Sequence, residues 1–157
     1  MDRIPVTATG LEMLEKERKQ LMQIDRPAVI QAIAEAREHG DLSENAEYHA
    51  ARERQSFIEG RLLELDDMLS RIDVIDPTNF EGPQVRFSAT VTLVDEETEE
   101  EKTYQIVGVN EANVEAGLIS YTSPIAKAMI GKNEGDSIEV TAPGGSKYYE
   151  IEKVVYK

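Results

Sequence analysis

The sequence predicts an α+β protein in two parts: an N-terminal antiparallel coiled-coil hairpin of helices, then a small C-terminal domain of strands with one short helix. Three observations carry this reading. From Leu11 to Ile75 the chain is rich in Glu, Leu, Ala, Arg and Ile at helical spacing. From Val85 onward Val, Thr, Tyr and Ile alternate with polar residues at strand spacing. Between the two stand Asp76-Pro77-Thr78-Asn79 and Gly82-Pro83, where proline lacks the amide donor and clashes with the preceding turn. Residues 1–76 are accordingly read as the arm, 77–84 as a linker and 85–157 as the second domain.

Within the arm, Ile58, Leu62, Leu65, Leu69 and Ile72 step by alternate fours and threes, the narrow seam of a coiled coil rather than the wide stripe of a globular helix. Such a helix needs one long partner. Folding the chain back near position 42 sets Leu21 against Leu62, Leu14 against Leu69, Leu11 against Ile72 and Ile33 against Ala51, nearly in one register. Pro27 interrupts the first helix, and Arg26 before it is expected to leave helical geometry, so a kink or split is predicted there. At 1.5 Å per residue, roughly 30 residues from base to turn give an arm about 45 Å long.

In the second domain, Val85–Val94 and Thr103–Val109 read as a hairpin joined by the acidic run 95–101, itself read as a solvated loop. Ser123 and Pro124 supply a cap and a first helical residue for a short helix that stops at Gly131. Residues Ser137–Thr141 and Tyr148–Tyr156 read as strands about a Pro143-Gly144-Gly145 turn.

Composition narrows the function. A formal charge of −14 over 157 residues excludes general phosphate neutralisation as a mode of nucleic-acid binding, so any such role is local or indirect. The absence of cysteine excludes disulfides and thiolate metal sites and fits a cytoplasmic setting. No run approaches the roughly 20 apolar residues of a spanning helix, and no secretory leader is evident, so no membrane role is expected.

The chemistry-bearing stretch is the predicted turn, EHGDLSENAEYHAAR at 38–52. Gly40 suits the position past a helix, Asp41 can cap the next, and Glu44 would then fall at the third position of a capping box. Turn chemistry alone accounts for the pair. Yet two carboxylates at the end of a long arm can also enter another molecule's cavity. They are too few for a complete Mg²⁺ site, which takes one or two carboxylates together with waters and phosphates, so a partner would supply the rest. A two-metal enzyme of phosphodiester chemistry with one loosely held metal is such a partner. Arg37, Arg52 and Arg54 bring positive charge to the same end, as solvated residues or as contacts to a nucleic-acid backbone. Tyr48, one turn after Glu44, either supports that carboxylate or covers the hairpin end. His39 and His49 lack the spacing and companions of a zinc site.

The segment Arg26-Pro27, the run 33–42 and the run 43–52 resemble those of the bacterial transcript-cleavage factors of transcription elongation, the GreA/GreB family. The likeness continues through 74–76, 107–108, 118–120, 123–126 and 130–132 and covers essentially the whole chain. It implies an arm that enters the secondary channel of RNA polymerase and an FKBP-like C-terminal domain that docks at the channel's rim. By the same resemblance Asp41 and Glu44 are the acidic tip pair, donated to the polymerase's second Mg²⁺ so that the enzyme cleaves its own backtracked RNA. Arg37, Asn45 and Arg52 correspond to contacts near the nascent RNA 3′ end and active centre. The loop of Ser120, Tyr121, Thr122, Ser123 and Pro124 corresponds to the docking surface. The protein is then an accessory factor and not itself an enzyme, a monomer with no tightly bound cofactor, sharing Mg²⁺ with the polymerase. Ser43 and Thr122 stand where other members often carry charge. Two alternatives remain open at this point, a channel-binding inhibitor without cleavage activity and an FKBP-like prolyl isomerase or binding module, although the chain has no Trp for an aromatic-walled pocket.

Overall fold

The computed structural model describes residues 2–40 and 44–157. Packing divides the chain into two units, one of Glu12–Arg71 and the other of the residues up to Leu11 together with Ile72–Lys157.

The first unit is a helical hairpin. Helix α1 (Ala8–Gln20) runs into a π-helical turn (Leu21–Asp25) and then α2 (Arg26–Arg37), and α3 (Ala46–Arg71) returns. The 26 residues of α3 make it about 39 Å long at 1.5 Å per residue. The seam is apolar as the spacing predicts: Leu14, Leu21, Val29, Ile33 and Ala36 are buried on the outgoing side, Ala51, Ile58, Leu62 and Leu65 on the returning side. Leu69 is half-buried. Ion pairs between Arg18 and Asp66 (2.6 Å), and between Arg26 and Glu59 (2.7 Å), mirror each other about position 42 and mark the same register.

The interruption expected at Pro27 takes the form of the π turn at Leu21–Asp25, and Arg26 does not leave helical geometry. Arg26 keeps helical angles (φ −61°, ψ −51°), and its amide bonds to Leu21 O, five residues back. A π turn widens the ladder by one residue, which makes room for the proline ring where an α turn would clash. The same level is bridged to α3, because Arg26 donates through both Nε (3.0 Å) and Nη2 (2.7 Å) to Glu59.

In the second unit β1 (Ile4–Val6) pairs in parallel with β2 (Ile72–Val74). Its main sheet has five strands, β3 (Thr90–Asp95), β4 (Glu101–Val107), β5 (Leu118–Ser120), β6 (Ser137–Ala142) and β7 (Gly145–Val155), in the order β5-β4-β3-β7-β6. Only β4 and β5 are parallel neighbours. One face alternates inward: Val91, Leu93, Ile106, Ile119, Ile138 and Ile151 form the core with Ala126 and Met129 of α4 (Pro124–Met129).

Most predicted elements stand with shifted ends. Strand β3 begins at Thr90 and not at Val85. Ser88, just before it, has φ +77° and with Ala89 stands opposite Ile106, Ser88 N donating to Ile106 O (2.9 Å) and Ile106 N to Ala89 O (3.0 Å), which bulges the strand; the buried Ser88 hydroxyl finds no partner among the described residues. The Pro143-Gly144-Gly145 turn is tighter than expected, with Ala142 paired to Gly145, so β7 starts at the turn itself. The acidic run is a loop whose reversal is made by Asp95 Oδ1, accepting from Glu97 N (2.8 Å) and Thr98 N (3.1 Å). Those bonds hold the Asp95 carboxyl below its usual range. The predicted linker opens with a 3-10 turn, Pro77–Asn79, capped by Asp76, which accepts from Thr78 N.

Candidate functional site at the hairpin tip

The end of α2 is tightened rather than capped. His39 N bonds to Ala36 O (3.1 Å) and Gly40 N to Arg37 O (3.5 Å), both three residues back. Gly40 then takes φ +112°, the left-handed conformation that lets the chain leave the helix axis and that a Cβ would resist.

Helix α3 starts later than the turn chemistry predicts. Its first residue is Ala46, and Asn45 Oδ1 accepts from Tyr48 N at 3.0 Å, so Asn45 is the N-cap. The capping box drawn from Asp41 to Glu44 is therefore corrected, because Glu44 lies outside the helix and not at its third position. Asp41 lies outside the described residues, as do Leu42 and Ser43.

Glu44 is exposed and makes no hydrogen bond or ion pair with any described residue. With His39, Asn45, Ala46 and Glu47 it lines an open hollow of about 440 Å³. Among the described residues no three His, Asp or Glu side chains are grouped to hold a metal ion. A single carboxylate of this kind can be one ligand of a hard cation only if the others come from elsewhere.

Arg37 is the last residue of α2, and its guanidinium lies 5.9 Å from the Tyr48 ring centroid. Tyr48 meets the His49 ring edge-on at 5.6 Å. Tyr48 thus meets the last residue of α2. Arg52 and Arg54 are exposed on α3, six and eight residues past its start. Asn45 Nδ2 also donates to Ala36 O at 2.6 Å, a contact to the opposite helix that periodicity does not reveal. A signal for it exists in the sequence: among good capping residues only asparagine carries its acceptor and its donor on separate atoms.

The C-terminal loop is knitted internally. Ser120 Oγ and Thr122 Oγ1 share a bond at 2.6 Å, and Ser123 Oγ donates to Ser120 O (2.7 Å) and accepts from Ala126 N (3.3 Å) as the cap of α4. Tyr121 packs edge-on against Phe87 at 5.8 Å. Thr122 and Pro124 are the exposed members.

One polar cluster had no forewarning in the sequence. Glu111, buried, accepts from Thr7 N (3.2 Å) and Gly108 N (3.1 Å) and pairs with the Thr7 hydroxyl.

Comparison with known proteins bears on the whole chain. Residues 4–74 match the family model described as transcription elongation factor, N-terminal, and residues 81–156 that described as transcription elongation factor, GreA/GreB, C-term. The chain is 64% identical over 156 residues to the transcription elongation factor GreA of Ruegeria pomeroyi, covering 99% of each. It is 64% identical over 154 residues to that of Rhodospirillum rubrum, covering 98% of each. To that of Hyphomonas neptunium it is 62% identical over 157 residues, the whole of both chains. With both halves matched and full-length relatives at this identity, the chain belongs to the GreA/GreB family of transcription elongation factors.

Proposed function

We propose that this protein acts on RNA polymerase as a transcript-cleavage factor, its helical hairpin entering the secondary channel and its tip completing a metal site that neither partner holds alone. The observation that carries the reading is Glu44: an exposed carboxylate, without a described partner, placed just ahead of α3 at the turn of a long hairpin. A carboxylate needed for the fold would be engaged by a cap or an ion pair. This one is left for a ligand outside the chain.

Glu44, with Asp41, would hold a Mg²⁺ ion whose remaining ligands belong to the polymerase, and the bound ion supplies Lewis-acid and water-activating chemistry for phosphodiester hydrolysis. The chain's own residues supply placement. The hairpin gives reach, Gly40 the reversal, and the exposed Arg37 and Arg52 a local positive charge for RNA phosphates on an otherwise acidic protein. The loop carrying Thr122 and Pro124 serves docking in the other unit, its hydroxyls already spent on its own shape.

The test is addition of the purified protein to stalled polymerase complexes carrying end-labelled, backtracked RNA. Mg²⁺-dependent shortening of the RNA, seen only with polymerase present, supports the reading. Hydrolysis of free RNA by the protein alone, or inhibition of the polymerase without cleavage, overturns it.

A further inference from the structure

We propose that Asn45 is a positioning residue of the tip: its carboxamide clasps the end of α2 to the start of α3 and so holds the adjoining Glu44 in one geometry. The inference rests on the tip-donation reading above for its consequence in cleavage, but the clasp itself is a property of the free chain.

A helix leaves carbonyls unpaired at its C-terminus and amides unpaired at its N-terminus. Asn45 pairs one such amide and adds a second donor to a terminal carbonyl that already accepts His39 N. Its Oδ1 takes the Tyr48 amide of α3 at 3.0 Å, while its Nδ2 gives a hydrogen to Ala36 O, nine residues earlier in α2, at 2.6 Å. Ala36 is buried, so its carbonyl is anchored in the hairpin seam. The bond therefore ties position 45, next to Glu44, to position 36 in the seam.

A second link joins the same two turns, since the Arg37 guanidinium stands over the Tyr48 ring, which His49 supports from the side. The two links restrain the stem of the loop on both sides of Gly40. Glu44 is bonded directly to the residue that carries the first of them. Its own carboxylate has no described partner, so the backbone at Asn45 is what sets where it points.

Capping alone does not call for asparagine. Aspartate caps as well, and serine nearly so. What the carboxamide adds is a donor on a separate atom, free to reach a carbonyl of the opposite helix while the oxygen caps. Asn45→Asp separates the two roles: it keeps the acceptor for Tyr48 N at a helix N-terminus that favours negative charge, but it cannot donate to Ala36 O. Asn45→Ser keeps the cap and is too short to reach across.

The experiment measures backbone order by ¹⁵N relaxation in the free full-length protein, together with polymerase-dependent cleavage. For both variants we expect unchanged helicity and a still-protected Tyr48 amide, but lower order at Glu44 and Gly40. Misplacement of a reacting group by about 1 Å costs up to about 10²-fold, so cleavage at saturating factor should fall by about tenfold or more. Added Mg²⁺ should not restore it, because the lost quantity is geometry, whereas it should partly restore Glu44→Gln, in which a ligand is weakened. Unchanged order at Glu44 in Asn45→Asp would overturn the clasp. So would cleavage lost while that order is intact, which would assign Asn45 to direct contact with RNA. If Glu44→Gln cleaves like the parent, the tip-donation reading fails, and the order measurements still decide the clasp on their own.

Discussion

The carboxylate of Glu111 accepts the amide of Thr7 at 3.2 Å across 104 positions of sequence, and the same oxygen takes Gly108 N at 3.1 Å. Thr7 is also where α1 begins: Leu11 N bonds to its carbonyl and Gly10 N to its hydroxyl. One buried acid thus fastens the start of the first helix to the turn after β4. A Cβ on Gly10 would lie 2.5 Å from Glu111 Oε2.

Gly10→Ala should for that reason destabilise, by about 1–3 kcal/mol. In an unobstructed helix the same change stabilises by about 0.5–1 kcal/mol. Glu111→Ala should cost about 1–3 kcal/mol by leaving buried donors unpaired. Urea unfolding reads both, and a stabilised Gly10→Ala variant would contradict the packing described.

The arm should distinguish two leucines only two positions apart. Leu65 is fully buried and Leu63 is 73% exposed. Leu65→Ala is expected to cost about 2–5 kcal/mol, and Leu63→Ala less than about 0.5 kcal/mol. Equal losses in thermal or denaturant unfolding would mean that the seam is misassigned.

Arm stability should weaken in acid through Glu17. Its bidentate hydrogen bonds from Arg61, at 2.7 and 2.8 Å, hold its carboxyl below the ordinary value of 4.5, against the opposing effect of burial and with help from the Arg61 charge. Since the folded-state value is depressed, the contribution is complete above the unfolded value near 4.5 and is lost as pH falls through the folded one. The pair is 27% and 40% exposed, so solvent screening limits it to about 1 kcal/mol or less. The stability difference between the parent and Glu17→Gln, measured at pH 7 and at successively lower pH below 4.5, should shrink toward zero. A difference that grows in acid would reverse the assigned sign.

Asp41→Asn and Glu44→Gln should each reduce polymerase-dependent cleavage by about tenfold or more, the scale of lost metal affinity when a site is altered. Polymerase binding and helicity should hold, because the amides keep shape and Asn45 caps α3 without them. Cleavage at the parent's rate in both variants would remove the metal-ligand role.

Much of this architecture could be read without coordinates, because it follows from periodicities that a chain cannot disguise. The steps of three and four through Ile58, Leu62 and Leu65 determined a hairpin seam, and alternation through Val91 and Leu93 determined a sheet with one buried face. Ser123, Pro124 and Gly131 marked both ends of α4, since capping and left-handed backbone are local chemistry. The acidic tip pair was legible as residue types in a turn, and family likeness attached a role to it. Tertiary structure alone decided the rest, wherever a partner distant in sequence chooses between local options. Turn rules favoured Asp41 as a cap, but α3 begins at Ala46, with Asn45 both capping it and reaching Ala36 on the other helix. Proline predicted an interruption with Arg26 out of helical geometry, but the interruption is a π turn that keeps Arg26 helical and paired to Glu59. Glu111 looked like any acid on an acidic chain until folding brought Thr7 to it, because a buried carboxylate is defined by the donors around it and not by its neighbours in sequence.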